Sequence, residues 1–403
     1  MVNVAILGFG TVGSGVADVL TMNRALIEQR TGKPVRLKYI LDVRQFPDSP
    51  YKDYFVQDFS VIENDPEVDI VVETIGGATI ALDFTRRALS AGKSVVSSNK
   101  ELVATHGYDL LQLAKANGVS YLFEASVGGG IPVLRPLTNC LAGNEISEVR
   151  GILNGTTNYI LTRMIRAGLS FEQALKEAQD NGYAERDPSA DIEGHDACRK
   201  ICILAALAFG RHVYPEQVPT QGITAITLAD VAYANSCGYK IKLLGRALRV
   251  DGNKVCAYVA PHLVSGENPL SGVEDVFNAI AATGNAVGDV MFYGRGAGKL
   301  PTASAVVGDI VDIAKDVATR KCNEWAAGDK DLVQSPDSMT FRWYVRAHGS
   351  LDAARSACGE IAPLARGGAP VQEIAFLTEA MTQAQLQERV SGLDVQSLIR
   401  VLG

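Results

Sequence analysis

A glycine-rich turn directly after an apolar strand is the feature that most restricts how this chain folds. Val2 to Leu7 is an apolar run of strand length, and Gly8-Phe9-Gly10-Thr11-Val12-Gly13 follows it at once. Apolar residues at helical spacing then continue from Thr11 to Gln29. Glycines at such a junction let a pyrophosphate approach the backbone, and the amides of the helix N-terminus favour its negative charge. The segment predicts a dinucleotide-binding strand, loop and helix.

Strands and helices continue to alternate beyond this unit. Further strands are predicted at Val35 to Leu41, Val68 to Thr74, Ser94 to Ser98 and Ser120 to Glu124, with helices at Ile80 to Ala91 and Gly107 to Ala116. Such alternation builds an α/β fold with a Rossmann-like, doubly wound parallel sheet, whose ligands bind beyond the carboxyl ends of the strands. We expect this NAD(P)-binding domain to cover residues 1–130, completed by a helix at about 297–318.

Two further units are expected after this sheet. Residues 131–296 mix strand-like runs with long helices, which indicates an α+β domain for substrate binding and dimerisation. Residues 339–403 are predicted to form a compact βαββαβ tail behind a linker from Asp329 to Pro336. A chain of 403 residues has room for these units, since a domain takes roughly 150 residues.

Composition points to a small-molecule ligand. A net charge of -7 without a basic run gives no reason to expect nucleic acid, and no apolar run is long enough to predict a membrane span. The seven cysteines form no CxxC pair, so neither a zinc site nor a disulfide framework is expected. The chain enters its first strand without an export signal. We therefore expect a cytoplasmic protein.

The end of the second predicted strand bears on which dinucleotide is bound. Asp42 is placed to accept a hydrogen bond from the ribose 2'-hydroxyl of NAD. Arg44 is close enough in sequence to pair with the 2'-phosphate of NADP. On the residues alone, NAD and NADP both stay open.

The stretch from Gly182 to Lys200 is the most informative about chemistry. It is rich in acids and leads into an apolar helix, Ile201 to Phe209, along whose inward side Lys200 projects with Asp196 one turn earlier. A lysine that points inward is costly to bury unless it is paired with an opposite charge, and an unusual lysine of this kind is often part of a functional site. Two interpretations stay open: a structural ion pair between Asp196 and Lys200, or a lysine that exchanges a proton with a substrate oxygen.

Other polar residues have structural and functional interpretations side by side. Lys100 follows a strand at the mouth of the sheet, where it is either a surface lysine or part of a site. Glu124 precedes a glycine-rich loop whose carbonyl oxygens either surround a hard cation or simply form a turn. His195 is a tempting general base, but its position favours a solvent-facing or capping role. The segment from Asn154 to Tyr159 supplies groups that cap a helix or orient a polar substrate.

Taken together and in order, five segments resemble the homoserine dehydrogenase family, with similarity from Val2 to about Ile313. The segments are Ser98-Asn99-Lys100, Glu124 to Pro132, Asn154 to Tyr159, Gly182 to Lys200, and Gly296-Ala297-Gly298 with Pro301 to Val306. The resemblance implies reversible, NAD(P)-dependent oxidation of L-homoserine to L-aspartate 4-semialdehyde, in the biosynthesis of threonine, methionine and isoleucine. It also implies a homodimer or homotetramer.

The resemblance also implies roles for individual residues. Lys200 would transfer the proton, and Lys100 would lie near both nicotinamide and substrate. The substrate would be bound by Glu185, Asp191, Asp196, Thr156 and Tyr183. The cofactor would contact Gly8, Gly10, Thr11, Val12, Gly13, Arg44, Gly76, Ser98, Lys100 and Gly298. A sodium ion would lie between Glu124 and the carbonyls of Val127, Gly129 and Ile131.

The tail resembles an ACT-type regulatory domain, which implies an amino-acid effector. Its first strand is followed by Ala347-His348-Gly349-Ser350 in place of the usual Asp-x-Pro-Gly turn, so effector binding and a role in assembly alone both stay open. No kinase domain is expected ahead of Val2. Two alternatives to the family remain: another Rossmann dehydrogenase acting on an amino acid, and a non-catalytic dinucleotide sensor.

Overall fold

Strands and helices alternate through most of the chain. The computed structural model describes residues 1–250, 254–321 and 323–402. Within these residues the elements are β1 (Val2–Leu7), α1 (Thr11–Met22), α2 (Arg24–Thr31), β2 (Val35–Leu41), β3 (Phe55–Val56), α3 (Phe59–Glu63), β4 (Ile70–Glu73), α4 (Thr79–Ser90), β5 (Ser94–Ser97), α5 (Lys100–Ala116), β6 (Tyr121–Leu122), β7 (Ile146–Ile152), α6 (Gly155–Ala167), α7 (Phe171–Asp180), α8 (Ser189–Ile192), α9 (His195–Phe209), α10 (Leu228–Ser236), β8 (Tyr239–Val250), β9 (Lys254–Ser265), β10 (Phe277–Gly284), β11 (Gly288–Arg295), α11 (Lys299–Lys315), β12 (Trp343–His348), α12 (Leu351–Cys358), β13 (Ile361–Leu364), β14 (Glu373–Thr378), α13 (Gln383–Arg389) and β15 (Asp394–Leu402). No helix among them is long and apolar enough to cross a membrane.

The first sheet has six parallel strands in the order β3-β2-β1-β4-β5-β6. Strands β1, β4 and β5 are buried along their whole length, as expected when helices cover both faces of a parallel sheet. The strand order reverses direction between β1 and β4, and ligands of such sheets bind at that crevice. The predicted Rossmann-like sheet is confirmed.

Two helix predictions in this sheet were wrong. The single helix predicted from Thr11 to Gln29 is interrupted at Asn23, whose ψ of 17° lies outside the helical range, so that α1 and α2 are separate. The helix predicted from Gly107 begins at Lys100 instead, because the Asn99 side chain caps its first amides. Gly107 lies inside this helix, where a Cβ atom would come within 2.7 Å of a Trp325 ring carbon.

Helix α11 follows the second sheet in sequence but packs on α1, beside the first sheet. It packs on α1 at Gly15, where a Cβ atom would lie 2.8 Å from the Lys299 carbonyl oxygen. The Lys299 ammonium group also pairs with Asp18 at 2.7 Å. The close approach of the two helices places the start of α11 beside the glycine loop, and Gly298 and Thr302 line the same cavity as Thr11.

The second sheet has nine strands, in the order β11-β10-β7-β8-β9-β15-β12-β14-β13. The last six elements of the chain follow the predicted βαββαβ sequence, from β12 to β15. They do not form a separate unit, because β15 pairs in parallel with β9 through Arg400, Val401 and Leu402. The buried carboxylate of Asp230 on α10 also accepts a hydrogen bond from Arg346 at 2.8 Å.

Candidate active site

A cavity of about 620 Å³ lies between the carboxyl ends of the parallel strands and the segment that carries α8 and α9. It is lined by Thr11, Val12, Ser98, Lys100, Ala125, Ser126, Gly129, Asn154, Gly155, Thr156, Gly182, Tyr183, Ala184, Glu185, Asp191, Asp196, Lys200, Val276, Arg295, Gly296, Ala297, Gly298 and Thr302. All seven residues expected at the catalytic and substrate positions line this one cavity, together with five of the ten residues expected to contact the cofactor, Lys100 being in both groups.

Asp196 joins the two lysines of this cavity. Its Oδ2 atom accepts a hydrogen bond from Lys200 Nζ at 2.7 Å, and its Oδ1 atom lies 2.9 Å from Lys100 Nζ. Lys200 also donates to the Leu153 carbonyl oxygen at 2.8 Å and is 8% exposed. The ion pair of Asp196 with Lys200 is present, and Lys200 also lines the cavity, so the exchange of a proton with a substrate stays a prediction.

The three charges shift one another's protonation. Burial lowers the pKa of Lys200 below its ordinary value, and the nearby Lys100 charge acts in the same direction. Asp196 raises the pKa of Lys100, which keeps that group charged. Burial opposes ionisation of Asp196, but the charges of Lys200 and Lys100 hold its pKa well below the usual range. The site thus contains a fixed anion, a fixed cation and a lysine that loses its proton more readily than usual.

A second acid is tied to this group through an amide. Asn154 Nδ2 donates to Asp191 at 2.7 Å and to Asp196 at 2.8 Å. Burial raises the pKa of Asp191, and the Asp196 charge adds to the effect. The same Asn154 caps α6 by accepting from the Thr157 amide, so the capping interpretation of this segment is correct and its amide also reaches the cavity.

The outer wall of the cavity is a loop before α8. Thr156 Oγ1 donates to the Tyr183 carbonyl oxygen at 2.6 Å, which fixes the loop to the start of α6. The Tyr183 ring packs edge-on against Tyr159 and stays 45% exposed. Glu185 is exposed on the same loop. The carboxylate of Glu185 is therefore available to a molecule that enters from this side.

The glycine loop has the geometry that a pyrophosphate requires. Gly8 has a φ of +89°, and a Cβ atom on Gly13 would lie 1.9 Å from the Gly8 carbonyl oxygen. A Cβ on Gly10 would meet nothing within 4 Å, and no side chain caps the first amides of α1, which begins at Thr11. Free amides at a helix N-terminus beside open space suit an anion.

Asp42 and Arg44 follow β2 and lie beside the start of the glycine loop. The Asp42 carboxylate accepts from the Phe9 amide at 2.7 Å and from the Arg44 guanidinium at 2.9 and 3.0 Å. The Arg44 hydrogen bonds hold the Asp42 pKa at about 2. Arg44 keeps 59% of its side chain exposed and lies over the Phe46 ring. Gly76, after β4, is exposed on the same edge of the sheet but does not line the cavity.

The carboxylate of Glu124 contacts backbone amides. It accepts from Val133 and Leu134 at Oε1, at 2.6 and 2.8 Å, and from Arg135 at Oε2, at 2.8 Å. One lone pair of Oε2 has no donor among these contacts. No group of three acids, histidines or cysteines in the described residues could hold a metal ion. Of the loop residues named with Glu124, Gly129 reaches the cavity, whereas Val127 and Ile131 are buried.

Several lining residues were not predicted from the sequence. Ser126, Arg295 and Thr302 face the cavity from three separate elements. The glycines after Ser126 and the helix start after Arg295 are visible in the sequence as signs of loops. No rule of sequence spacing, however, predicts that these two loops meet at one cavity. His195 is exposed beside Glu193 at 3.2 Å, as expected, and does not line the cavity.

The chain is similar to known proteins over most of its length. Family models described as homoserine dehydrogenase, NAD binding domain, and homoserine dehydrogenase match residues 8–124 and 132–311. The homoserine dehydrogenase of Bacillus subtilis is 42% identical, over 86% of this chain and 81% of the relative. A homoserine dehydrogenase structure from Thiobacillus denitrificans has a TM-score of 0.90 at 34% identity, over 100% of this chain and 98% of that one. A hyperthermophilic archaeal homoserine dehydrogenase in complex with NADPH has a TM-score of 0.65 at 30% identity, over 77% and 97%.

Proposed function

This chain belongs to the homoserine dehydrogenase family, and we propose that its cavity carries out the reversible, NAD(P)-dependent oxidation of L-homoserine to L-aspartate 4-semialdehyde. The observation that supports the proposal most is the contact of Lys200 and Lys100 with one carboxylate, opposite the glycine loop. The reaction belongs to the biosynthesis of threonine, methionine and isoleucine. A bound NAD(P) would accept the hydride from the substrate carbon that bears the hydroxyl group.

Lys200 is the group best suited to move the proton. Since burial lowers its pKa, Lys200 is the lysine of the pair that more readily becomes neutral and accepts the hydroxyl proton during oxidation. Lys100 stays charged beside Asp196 and can stabilise negative charge that develops on the substrate oxygen. In the reverse direction, Lys200 returns the proton to that oxygen.

The acids of the cavity are suited to the ammonium group of an amino acid. Asp196 is already paired with two lysines, whereas Glu185 on the outer loop has no lysine or arginine within 4 Å among its described neighbours. A substrate ammonium placed toward Glu185 and Asp191 would leave its hydroxyl end toward Lys200. Thr156 and Tyr183 hold the loop on which Glu185 lies.

Arg44 supports NADP over NAD as the preferred cofactor. The lone pairs of Asp42 that a ribose hydroxyl would need are occupied by Phe9 and Arg44. The Arg44 guanidinium is exposed and would be available to pair with a 2'-phosphate. We therefore propose NADP, with the phosphates on Gly8, Gly10, Thr11, Val12 and Gly13, and Gly76, Ser98 and Gly298 near the rest of the cofactor.

We also propose a sodium ion at the Glu124 loop. The free lone pair of Glu124 and the carbonyls of Val127, Gly129 and Ile131 would supply the ion with hard oxygen donors that carry one negative charge. Such an ion would hold the loop that lines the cavity at Gly129 and take no part in proton transfer.

The remaining expectations are also proposals. The strand order β15-β12-β14-β13 supports an ACT-type tail over residues 339–403, and the first and second sheets support the division into residues 1–130 and 131–296. A homodimer or homotetramer, an amino-acid effector and a cytoplasmic location stay predictions.

Steady-state kinetics test the function directly. Rates with L-homoserine and either NADP or NAD, measured with and without threonine, should show homoserine-dependent reduction of the cofactor. Absence of that rate would favour another Rossmann dehydrogenase, and unimpaired biological function without both lysines would favour a dinucleotide sensor.

A further inference from the structure

The carboxyl end of β4 carries an acid that the catalytic arrangement does not use. Glu73 is the last residue of that strand, and its side chain is fully buried. It is paired in the sheet with Leu7 of β1 on one side and with Ser97 of β5 on the other. The acid therefore lies beside the point where the strand order reverses and ligands of such sheets bind, yet it does not line the catalytic cavity.

Two loops are hydrogen-bonded to the Glu73 carboxylate. Its Oε1 atom accepts from the Ile75 amide at 2.7 Å, in the loop after β4. Its Oε2 atom accepts from the Ser97 hydroxyl at 2.5 Å. Ser97 Oγ in turn accepts from the Asn99 amide at 3.0 Å, in the loop after β5. One buried carboxylate thus fixes the backbone of both loops.

Asn99 joins the same two loops to each other and to the helix that follows. Its Nδ2 atom donates to the carbonyl oxygens of Ile75 at 3.0 Å and Gly77 at 2.7 Å. Its Oδ1 atom accepts from the Leu102 amide at 3.0 Å, which caps α5. Because Lys100 is the first residue of α5, the position of its backbone follows from these hydrogen bonds.

Both loops carry residues of the proposed active site. Ser98 and Lys100 line the catalytic cavity, and the Lys100 ammonium group lies 2.9 Å from Asp196. Gly76, which is expected at the cofactor, lies in the other loop between two residues that are hydrogen-bonded in this network. A displacement of about 1 Å at a catalytic group can cost about a hundredfold in rate, so the anchoring of these loops bears directly on the reaction.

We propose that Glu73 is a positioning residue for the oxidation of L-homoserine and acts through its hydrogen bonds. Through the loop after β5 it sets where Lys100 lies beside Asp196. Through the loop after β4 it sets the backbone that meets the cofactor. Glu73 itself contacts neither the substrate nor the cofactor. The inference rests on the proposed function, because the lysine that Glu73 positions acts in that reaction.

The surroundings of Glu73 predict which side chains can replace it. Burial raises the pKa of Glu73 to about 7, and the titratable group that faces it is the Tyr121 hydroxyl of β6, which is buried without a hydrogen-bond partner. A neutral carboxyl group can still accept from Ile75 and donate to Ser97 Oγ, whose own hydrogen then turns toward Tyr121. Glutamine offers the same acceptor and the same donor, whereas alanine offers neither.

Steady-state kinetics test this hydrogen-bonding role. Glu73→Ala should lower kcat for homoserine oxidation about ten- to a hundredfold and raise the KM for NADP at least about threefold, since both loops lose their acceptor. Glu73→Gln should stay within about threefold of the wild-type kcat, because it keeps both contacts. An equal loss in the two variants, or no loss in Glu73→Ala, would overturn the proposal.

Ser97→Ala breaks only the connection to the loop of Lys100. It should lower kcat at least about fivefold, with a smaller change in the KM for NADP than Glu73→Ala causes. Ser94→Ala is the matched control, because Ser94 is a buried serine of the same strand whose Oγ accepts from the Ser120 amide at 3.1 Å. Ser94→Ala should change neither constant, and a loss equal to that of Ser97→Ala would contradict the proposal.

A double-mutant cycle with Lys100 separates positioning from general support of the fold. If Ser97 acts through Lys100, Ser97→Ala should change kcat by less than about twofold when Lys100→Met is already present. A residue that only supports the fold would lower kcat by the same factor in both backgrounds, and that result would overturn the proposal. The removal of one hydroxyl group keeps this test valid if Glu73→Ala does not fold.

Binding of NADPH gives a readout that does not need the reaction. In fluorescence titrations Glu73→Ala should bind NADPH at least about threefold more weakly than the wild type, and Ser94→Ala should bind it equally well. Wild-type affinity in Glu73→Ala would overturn the role assigned to the loop after β4. A wild-type chain that binds NADPH but oxidises no homoserine would instead refute the proposed function, and the weaker binding by Glu73→Ala would still support the anchoring of that loop.

Discussion

Replacement of Lys200 by methionine is the most direct test of the catalytic arrangement. Methionine keeps most of the side-chain volume but removes the ammonium group that contacts Asp196 at 2.7 Å and the Leu153 carbonyl at 2.8 Å. A positioned acid–base group contributes about 10² to 10⁴ to a rate, which corresponds to about 3 to 5 kcal/mol of activation free energy. We therefore expect kcat to fall by about that factor.

The fold should tolerate this change. Removing one member of a buried ion pair costs about 3 to 5 kcal/mol when the other charge is left alone. Asp196 is not left alone, because Lys100 still lies at 2.9 Å and Asn154 still donates at 2.8 Å. The loss in free energy of unfolding should thus be smaller than that range. Cofactor affinity should hardly change, since the Lys200 ammonium group contacts Asp196 and the Leu153 carbonyl and not the glycine loop.

The assay is steady-state oxidation of L-homoserine, with NADPH binding measured by fluorescence titration and stability by urea unfolding. Lys242→Met is a matched control, because Lys242 is a fully buried lysine that does not line the cavity. In the wild type, kcat for oxidation should rise with pH as Lys200 loses its proton, with a midpoint below the ordinary lysine value of 10.5. A Lys200→Met enzyme within tenfold of wild-type kcat, or an equal loss in Lys242→Met, would refute the reasoning.

Three further predictions follow from other parts of the molecule. Arg44→Ser should raise the KM for NADP about tenfold and leave that for NAD unchanged, since one charged contact to the 2'-phosphate is lost; parallel changes with both cofactors would argue against phosphate recognition. Burial raises the pKa of Glu73 to about 7 from 4.5, so the folded state holds the proton and loses stability as pH rises through this window, by about 3 kcal/mol. Asp309 is a second buried acid with a raised pKa, and it titrates in both proteins. Between pH 5 and pH 8, urea unfolding should therefore show a loss of stability that is smaller in Glu73→Gln than in the wild type by about this amount, and the same loss in both would contradict the prediction. Gly13→Ala should abolish NADPH binding because its Cβ would lie 1.9 Å from the Gly8 carbonyl oxygen, whereas Gly308→Ala, whose Cβ meets nothing within 4 Å, should bind normally.

Local sequence patterns predicted the first sheet well. Continuous apolar runs such as Val2 to Leu7 are typical of parallel strands covered on both faces, and each ended at a loop on the ligand side. The helix that begins at Lys100 was predicted to start too late, at Gly107, because a glycine there suggests a helix start. The structure gives another reason for this glycine: a side chain at position 107 would collide with the Trp325 ring. Trp325 is more than two hundred residues further along the chain, so no local pattern reveals the contact.

The candidate site was predictable where residues share one helix. Asp196 and Lys200 are four residues apart, so their contact follows from helical geometry. The approach of Lys100 to the same carboxylate depends on how α5 and α9 pack across domains, and Arg295 and Thr302 depend on the return of α11. From the residues alone, Lys100 stayed open between a surface lysine and part of a site, and the family resemblance was the argument that assigned it to the site. The hydrogen bonds from Phe9 and Arg44 to the Asp42 carboxylate depend on the conformation of two turns. A sequence pattern does not give that conformation, so the cofactor preference stayed open in the sequence.

Because β15 pairs with β9, the tail covers a strand edge of the central domain that other chains could otherwise pair with. A polypeptide that ended at residue 338 would keep every residue of the catalytic cavity. It would leave His262, Leu263 and Val264 paired with β8 on one side and without their β15 neighbours on the other. These residues are buried, and an uncovered strand edge of this kind is a template for intermolecular pairing. Removal of the tail should therefore give a protein that aggregates, not merely one that escapes regulation, and single substitutions are the safer way to separate the two roles.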